Sequence, residues 1–219
     1  MDTRSNGLND LRTLELAHDL KVPLQLITSC VQLLEDEFSG SERAEGYLRT
    51  LARSAGQLQS MLENALERDE LRTGFQDVVA DARTLAREFE LMAREKNVHV
   101  HFTGNCSKFS MRTDVGKLRR ILRNLLENSL RFTPSGGKIW LKVQVMGDAV
   151  EFSIEDSGCG IPEKNRARIF ESGFTTGGSG HGLAICKRFA EQLGGSLDLM
   201  PLQGIGSSFV LRLPVPAET

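Results

Sequence analysis

The sequence has few aromatic residues and almost no net charge. One Trp, one Tyr and eleven Phe stand among 219 residues, and 27 Lys and Arg oppose 29 Asp and Glu, for a formal charge of −2. That balance excludes binding to nucleic acid or to an anionic surface through overall basicity. Only four cysteines are present, Cys30, Cys106, Cys159 and Cys186, spaced 76, 53 and 27 residues apart and without a C-x-x-C pair. The spacing excludes a dense disulfide framework and a cysteine-ligated structural metal, and it fits reduced thiols in a cytoplasmic protein. No stretch approaches the ~18 consecutive apolar residues of a membrane span. The opening MDTRSNGLND lacks the apolar core of a secretion signal. The expectation is a soluble chain with no nucleic-acid partner and no direct membrane insertion. Glycine, by contrast, is plentiful, and 14 of the 21 glycines fall in residues 136–206.

Two textures follow one another along the chain. From Leu8 to about Phe38, Leu20, Leu24, Ile27, Val31 and Leu34 step by 4, 3, 4 and 3, the spacing of a packed helical seam. Ser39-Gly40-Ser41 breaks this helix, and a second repeats the pattern at Leu48, Leu51, Ala55, Leu58, Leu62 and Ala65. A hairpin of two such helices cannot bury both seams by itself, so a homodimeric four-helix bundle is expected. After Arg72-Thr73-Gly74 helices and strands alternate. The patterns predict a helix near Gln76–Lys96, strands at Val98–Thr103 and Lys108–Arg112, a helix Val115–Arg131, and strands Lys138–Met146 and Ala149–Glu155. A glycine-rich region, a helix Gly182–Leu193 and a closing strand pair, Gly195–Met200 and Ser208–Leu213, complete the chain. The fold class is therefore α+β. A helical hairpin over residues 1–72 precedes an α/β sandwich over residues 73–219, with helices on one face of a mixed sheet.

Chemistry-bearing residues gather in five places. In ELAHDLKVPLQLI, His18 lies about 160° around the helix from Leu20 and points away from the seam. An exposed neutral imidazole is a nucleophile near pH 7, and the adjacent Asp19 can orient it and accept its second proton. Pro23 removes the helical hydrogen bond to the Asp19 carbonyl. On ILRNLLENSLRFTP, Asn124, Asn128 and Arg131 stand at i, i+4 and i+7 on one helical face. EDSGCGIP places Asp156 at a strand end before Gly158 and Gly160. RIFESGFTTGGSGHGLAICK sets Gly177, Gly178, Gly180 and Gly182 before a helix, where backbone N–H groups suit phosphate. The last is GIGSSFVLRLP, with Gly204 and Gly206 before a strand. Lys117, Arg119, Arg120 and Arg123 read as a solvated basic face, and His99 and His101 as strand residues without a third metal ligand.

Taken in order, these segments resemble the sensor histidine kinases of two-component systems, from about Leu8 to Pro214. H-D-L-K-V-P-L is similar to their phosphoacceptor box, N-x-x-x-N-x-x-R-F to the asparagine box, D-S-G-C-G-I to the first glycine box, and G-x-G-L-A-I to the second. The resemblance implies a dimerisation and histidine-phosphotransfer hairpin followed by an ATP-binding domain of the gyrase, chaperone, kinase and MutL (GHKL) superfamily. It implies His18 as phosphoacceptor, with Asp19, Asn124 and Arg131 as further catalytic residues, and Asn128 as the Mg²⁺ ligand. Asp156 would recognise adenine. Asn128, Arg131, Phe132, Gly158, Gly160, Ile161, Phe170, Phe174, Gly178, Gly180, Gly182, Leu183 and Ser207 would surround the ATP. Phosphohistidine would then pass to an aspartate of a response-regulator receiver domain, with the stimulus supplied by a separate sensor protein or domain. Asn124 stands where ATP-hydrolysing relatives carry a glutamate base, which favours transfer over hydrolysis. Val22 stands where the family has Thr or Asn, and a valine offers water no hydrogen bond, which counts against dephosphorylation of the regulator. The competing readings are a phosphotransfer or scaffold protein without ATP turnover, and an ATP-hydrolysing or serine-phosphorylating relative.

Overall fold

In a computed structural model of the chain, the described residues are 71–171, 174, 182–202 and 205–215, together with 24, 25, 27–29, 31, 48, 51, 55 and 58 toward the N-terminus. By its own contacts the chain divides into residues 1–70 with 172–182, and residues 71–171 with 183–219.

In the first unit the described residues of 24–31 and of 48–58 are helical, and Thr28 Oγ1 donates to the Leu24 carbonyl at 3.0 Å. The predicted seam splits into two stripes. Val31, Leu48 and Ala55 are buried, whereas Ile27, Leu51 and Leu58 are about half exposed, at 49%, 53% and 55%. Residues seven apart share a fate, 48 with 55 and 51 with 58, as the heptad requires. One stripe is covered within the protomer and the other is not.

The second unit runs β1 (Gly74–Asp77), α1 (Val78–Arg94), β2 (His99–Gly104), β3 (Ser110–Thr113), α2 (Val115–Phe132), β4 (Lys138–Met146), β5 (Ala149–Asp156), α3 (Glu163–Arg166), α4 (Gly182–Gln192), β6 (Ser196–Met200) and β7 (Ser207–Pro214). Five strands form a mixed sheet in the order β2-β4-β5-β7-β6, with β2 and β4 parallel and the other pairs antiparallel. Alternation along β5 turns Val150, Phe152 and Ile154 to the helices, each fully buried, and Glu151, Ser153 and Glu155 to the other face. There Lys142 Nζ meets Glu155 at 2.7 Å, and His101 stacks on Trp140 at 6.1 Å. His99 and His101 are exposed, and among the described residues no group of three ligating side chains could hold a metal ion.

Two local readings need correction. The helix expected from Gln76 starts at Val78, because Gly74–Asp77 pairs antiparallel with β3, Gly74 opposite Thr113 and Asp77 opposite Ser110. Asp77 is the N-cap: its Oδ1 accepts from the N–H of Ala80 at 3.1 Å and from that of Phe109 at 3.1 Å. The short helix α3 had no forerunner in the sequence patterns. Among the described residues no helix is long and apolar enough to cross a membrane.

Candidate functional site

The site forms where α2 ends, β5 ends and β7 begins. Asp156 is the last residue of β5, opposite Ser207 of β7 and Ile139 of β4. Its carboxylate is buried at 4% exposure. Oδ1 accepts from the Gly158 N–H at 2.9 Å, and Oδ2 lies 3.3 Å from the Ser129 hydroxyl on α2. Burial pushes the Asp156 carboxyl above its ordinary value, against the pull of hydrogen bonds from Gly158, Ser129, and the backbone and side chain of Ser207.

Glycines make this junction possible. A Cβ on Gly158 would lie 2.6 Å from the Phe132 carbonyl oxygen and 2.8 Å from Asp156 Oδ1. Gly206 has φ +132°, and a Cβ there would overlap the Asp156 carbonyl oxygen. Backbone therefore approaches backbone more closely than any side chain permits. The result is a buried carboxylate held by main-chain and hydroxyl donors at the meeting of α2, β5 and β7, a group that can accept from a ring amino group.

On α2, Asn124 and Asn128 are half-buried and Arg131 is exposed. All three lie on the flank of the buried stripe that carries Leu118, Leu122, Leu125 and Ser129. Phe132 closes the helix at 37% exposure, and Thr133 Oγ1 donates to the Ser129 carbonyl at 2.6 Å. Glu127 is exposed and off this flank. Ile161 is half-buried, and its carbonyl accepts from Arg166 Nε at 3.1 Å. Leu183, in the first turn of α4, is half-buried. Phe170 packs edge-on to Phe209 of β7 at 6.3 Å, with Lys187 Nζ 5.4 Å from its ring, so it anchors the chain at the sheet. Phe174 and Gly182 group with the first unit. His18, Asp19, Val22, Pro23, Gly177, Gly178, Gly180, His181 and Gly204 lie outside the described residues.

The basic residues of α2 are a solvated face only in part. Lys117 is buried, and its Nζ donates to Gln192 Oε1 at 2.9 Å and sits 4.9 Å from the Phe189 ring. Arg119 and Arg123 both bind Glu88 of α1, Arg123 at 2.7 Å. Arg120 lies over Phe189 at 5.7 Å. Each aliphatic stem crosses apolar surface to reach a partner on a neighbouring helix, which a charge run alone does not disclose. Of the cysteines, Cys159 is exposed between Gly158 and Gly160, while burial pushes the Cys186 thiol up to about 12. Ser129 and Thr133 were not foreseen as site residues. A hydroxyl within the apolar stripe of α2 is the signal that could have found Ser129.

Residues 13–74 match the family described as the His Kinase A (phospho-acceptor) domain, and residues 113–217 match the histidine kinase-, DNA gyrase B-, and HSP90-like ATPase family. This chain belongs to the histidine kinases. It is 29% identical over 223 residues to the aerobic respiration control sensor protein ArcB of Escherichia coli K12, covering 92% of this chain and 28% of that protein. It is 30% identical to the adaptive-response sensory kinase SasA of Prochlorococcus marinus, covering 93% of this chain and 58% of SasA. This kinase chain thus spans only part of such relatives. Among solved structures, full-length ShkA in complex with AMPPNP aligns at TM-score 0.70 with 27% identity, over 95% of this chain and 46% of ShkA. The catalytic domain of the histidine kinase ThkA aligns at TM-score 0.62 with 28% identity, over 66% of this chain and 98% of ThkA's.

Proposed function

We propose that this histidine kinase chain binds Mg²⁺-ATP at Asp156, autophosphorylates His18 and passes the phosphoryl group to an aspartate of a response-regulator receiver domain. The buried Asp156 carboxylate, at the end of β5 where glycines let the main chain of α2, β5 and β7 close in, carries the reading. The adenine amino group would donate to this carboxylate in place of a serine hydroxyl, with Gly158, Gly160, Ile161 and Ser207 around the base. Gly178, Gly180, Gly182, Leu183 and Phe174 would complete the enclosure of the nucleotide, and Phe170, fixed to β7, would hold the start of that segment in place.

The flank of α2 would face the phosphates. Asn128 offers a neutral amide oxygen, the hard donor Mg²⁺ accepts, and a single protein ligand leaves the remaining positions to phosphate and water. Magnesium held by Asn128 would supply charge neutralisation to the phosphates. Arg131 would pair with phosphate oxygens and Phe132 would pack beside the base. Asn124 is not a base, so nothing on this face activates water. The neutral His18 imidazole attacks the γ-phosphorus in line, the bridging P–O bond to ADP breaks, and Asp19 takes the second ring proton.

The half-exposed stripe of Ile27, Leu51 and Leu58 supports homodimerisation through the hairpin. We place the domain boundary near residues 72/73, where the chain joins the sheet unit: the Arg72 N–H donates to Asp114 Oδ2 at the N-cap of α2, at 2.9 Å. A cytoplasmic location follows from the need for ATP and for a receiver domain, and the stimulus would come from a separate sensor protein or domain.

Labelling with [γ-³²P]ATP tests the assignment. Wild type is expected to gain acid-labile, base-stable label that transfers to a receiver domain, and His18→Ala to lose it with nucleotide affinity unchanged. Label that survives the substitution, or that is acid-stable, overturns the reading.

A further inference from the structure

The donors around the Asp156 carboxylate are not equivalent. Oδ1 accepts from the N–H of Gly158 at 2.9 Å, a main-chain bond that holds as long as the loop keeps its shape. Ser207, opposite Asp156 across β5 and β7, contributes through both its backbone and its side chain. From α2 comes Ser129 alone, whose hydroxyl lies 3.3 Å from Oδ2, longer than an ordinary O–H···O bond. A hydroxyl rotates to suit its partner, so this is a contact that can be exchanged.

Ser129 is 2% exposed and continues the buried stripe of Leu118, Leu122 and Leu125. Burying a hydroxyl there costs free energy that an alanine would not. Asp156 would keep Gly158 and Ser207 as donors without it, so the hydroxyl is more than the carboxylate needs. The main chain that carries Ser129 is fixed. Its carbonyl accepts from the Thr133 N–H at 3.0 Å and from the Thr133 hydroxyl at 2.6 Å, and Gly158 abuts the Phe132 carbonyl. The helix end therefore delivers Oγ to Oδ2, and the hydroxyl retains only its own rotation.

An acceptor, Oδ2, thus stands beside a group that can donate, Ser129 Oγ. Adenine carries the complement on one edge, an amino group that donates next to a ring nitrogen that accepts. Guanine and hypoxanthine present the reverse, an accepting oxygen next to a ring N–H. We infer that Ser129 is a specificity-determining residue for the base: the incoming amino group takes over Oδ2, and the released Ser129 hydroxyl donates to the neighbouring ring nitrogen. The exchange leaves no buried polar group without a partner. It rests on the proposed ATP site and assigns a second reading residue to it.

The test is calorimetric titration of the full chain, wild type and Ser129→Ala, with Mg²⁺-ATP and with Mg²⁺-1-deaza-ATP, in which a C–H replaces that ring nitrogen. Wild type is expected to bind ATP about fivefold more tightly than the analogue, the worth of one neutral hydrogen bond. Ser129→Ala should bind the two alike. A merely structural serine would weaken both and keep their ratio. A preference for ATP that survives in Ser129→Ala, or a wild type that binds ATP and the analogue equally, overturns the inference and leaves the ATP site standing. A wild type that binds no ATP overturns the proposed function, and the inference falls with it.

Discussion

The two units of this kinase chain use apolar residues in opposite ways. In the sheet unit Phe89, Phe152 and Ile154 are wholly buried between the helices and the sheet. In the helical unit the stripe of Ile27, Leu51 and Leu58 stays about half exposed. A sheet covered by helices closes a core within one chain, whereas a two-helix seam has an outer side that only another molecule can cover. With the proposed dimer, stability of the sheet unit is a property of the protomer, and that of the hairpin depends on concentration.

The sharpest way to break this contrast is to truncate one residue on each side of it. Phe152→Ala is expected to destabilise the sheet unit by about 3–5 kcal/mol, the range for emptying a fully buried aromatic site. The loss should be independent of protein concentration in denaturant titrations. Leu51→Ala should leave the protomer's unfolding free energy within ~0.5 kcal/mol of wild type and instead weaken self-association about tenfold, the loss of one interfacial leucine, measured by sedimentation equilibrium. If Leu51→Ala destabilises a dilute protomer as strongly as Phe152→Ala does, the contrast is wrong.

A smaller effect sharpens the comparison inside the sheet unit, between residues buried for packing and one buried for binding. The folded carboxyl of Asp156 titrates above the ordinary aspartate value of 3.8 because burial disfavours its charge. A group raised in the folded state stabilises fully only below its unfolded value, and that contribution is lost as pH climbs through the folded value. At neutral pH the ionised Asp156 therefore burdens the fold, and Asp156→Asn should melt a few degrees higher than wild type. The gain should shrink as pH falls toward 3.8. The same variant should bind ATP at least tenfold more weakly, because an amide is a poorer and reorientable acceptor. Reduced binding together with reduced stability would mean that Asp156 is a structural residue.

These contrasts also show what the sequence discloses. Strands β4, β5 and β7 announced themselves by clean alternation, and α2 by its apolar stripe, because burial on one face leaves a period in the residues. Of β1, Gln76 and Asp77 read in the sequence as the start of the following helix. Four mostly exposed edge residues carry no period, although Asp77 just before an apolar run is a cap that placed the true start. The site was legible as boxes of glycine and asparagine, since close approach and φ above zero demand particular residues. Ser129 was not, because what matters is where its side chain ends, and that depends on an element 27 residues away in sequence.

The basic run on α2 failed for the same reason, and it gives the smallest prediction. Arg119 and Arg123 converge on Glu88 of α1, so Glu88→Gln leaves two guanidiniums facing a neutral amide. Were the trio dry, the loss would reach several kcal/mol. Its side chains are instead 36–46% exposed, so solvent screens the charges and both arginines can turn to water. The expected loss is below ~1 kcal/mol, and half a molar of added salt should erase most of it. A larger, salt-insensitive loss would mean that Glu88 joins α1 to α2 as a core residue does. The helix bearing Asn128 and Arg131 would then owe its seating to this ion pair as well as to its leucines.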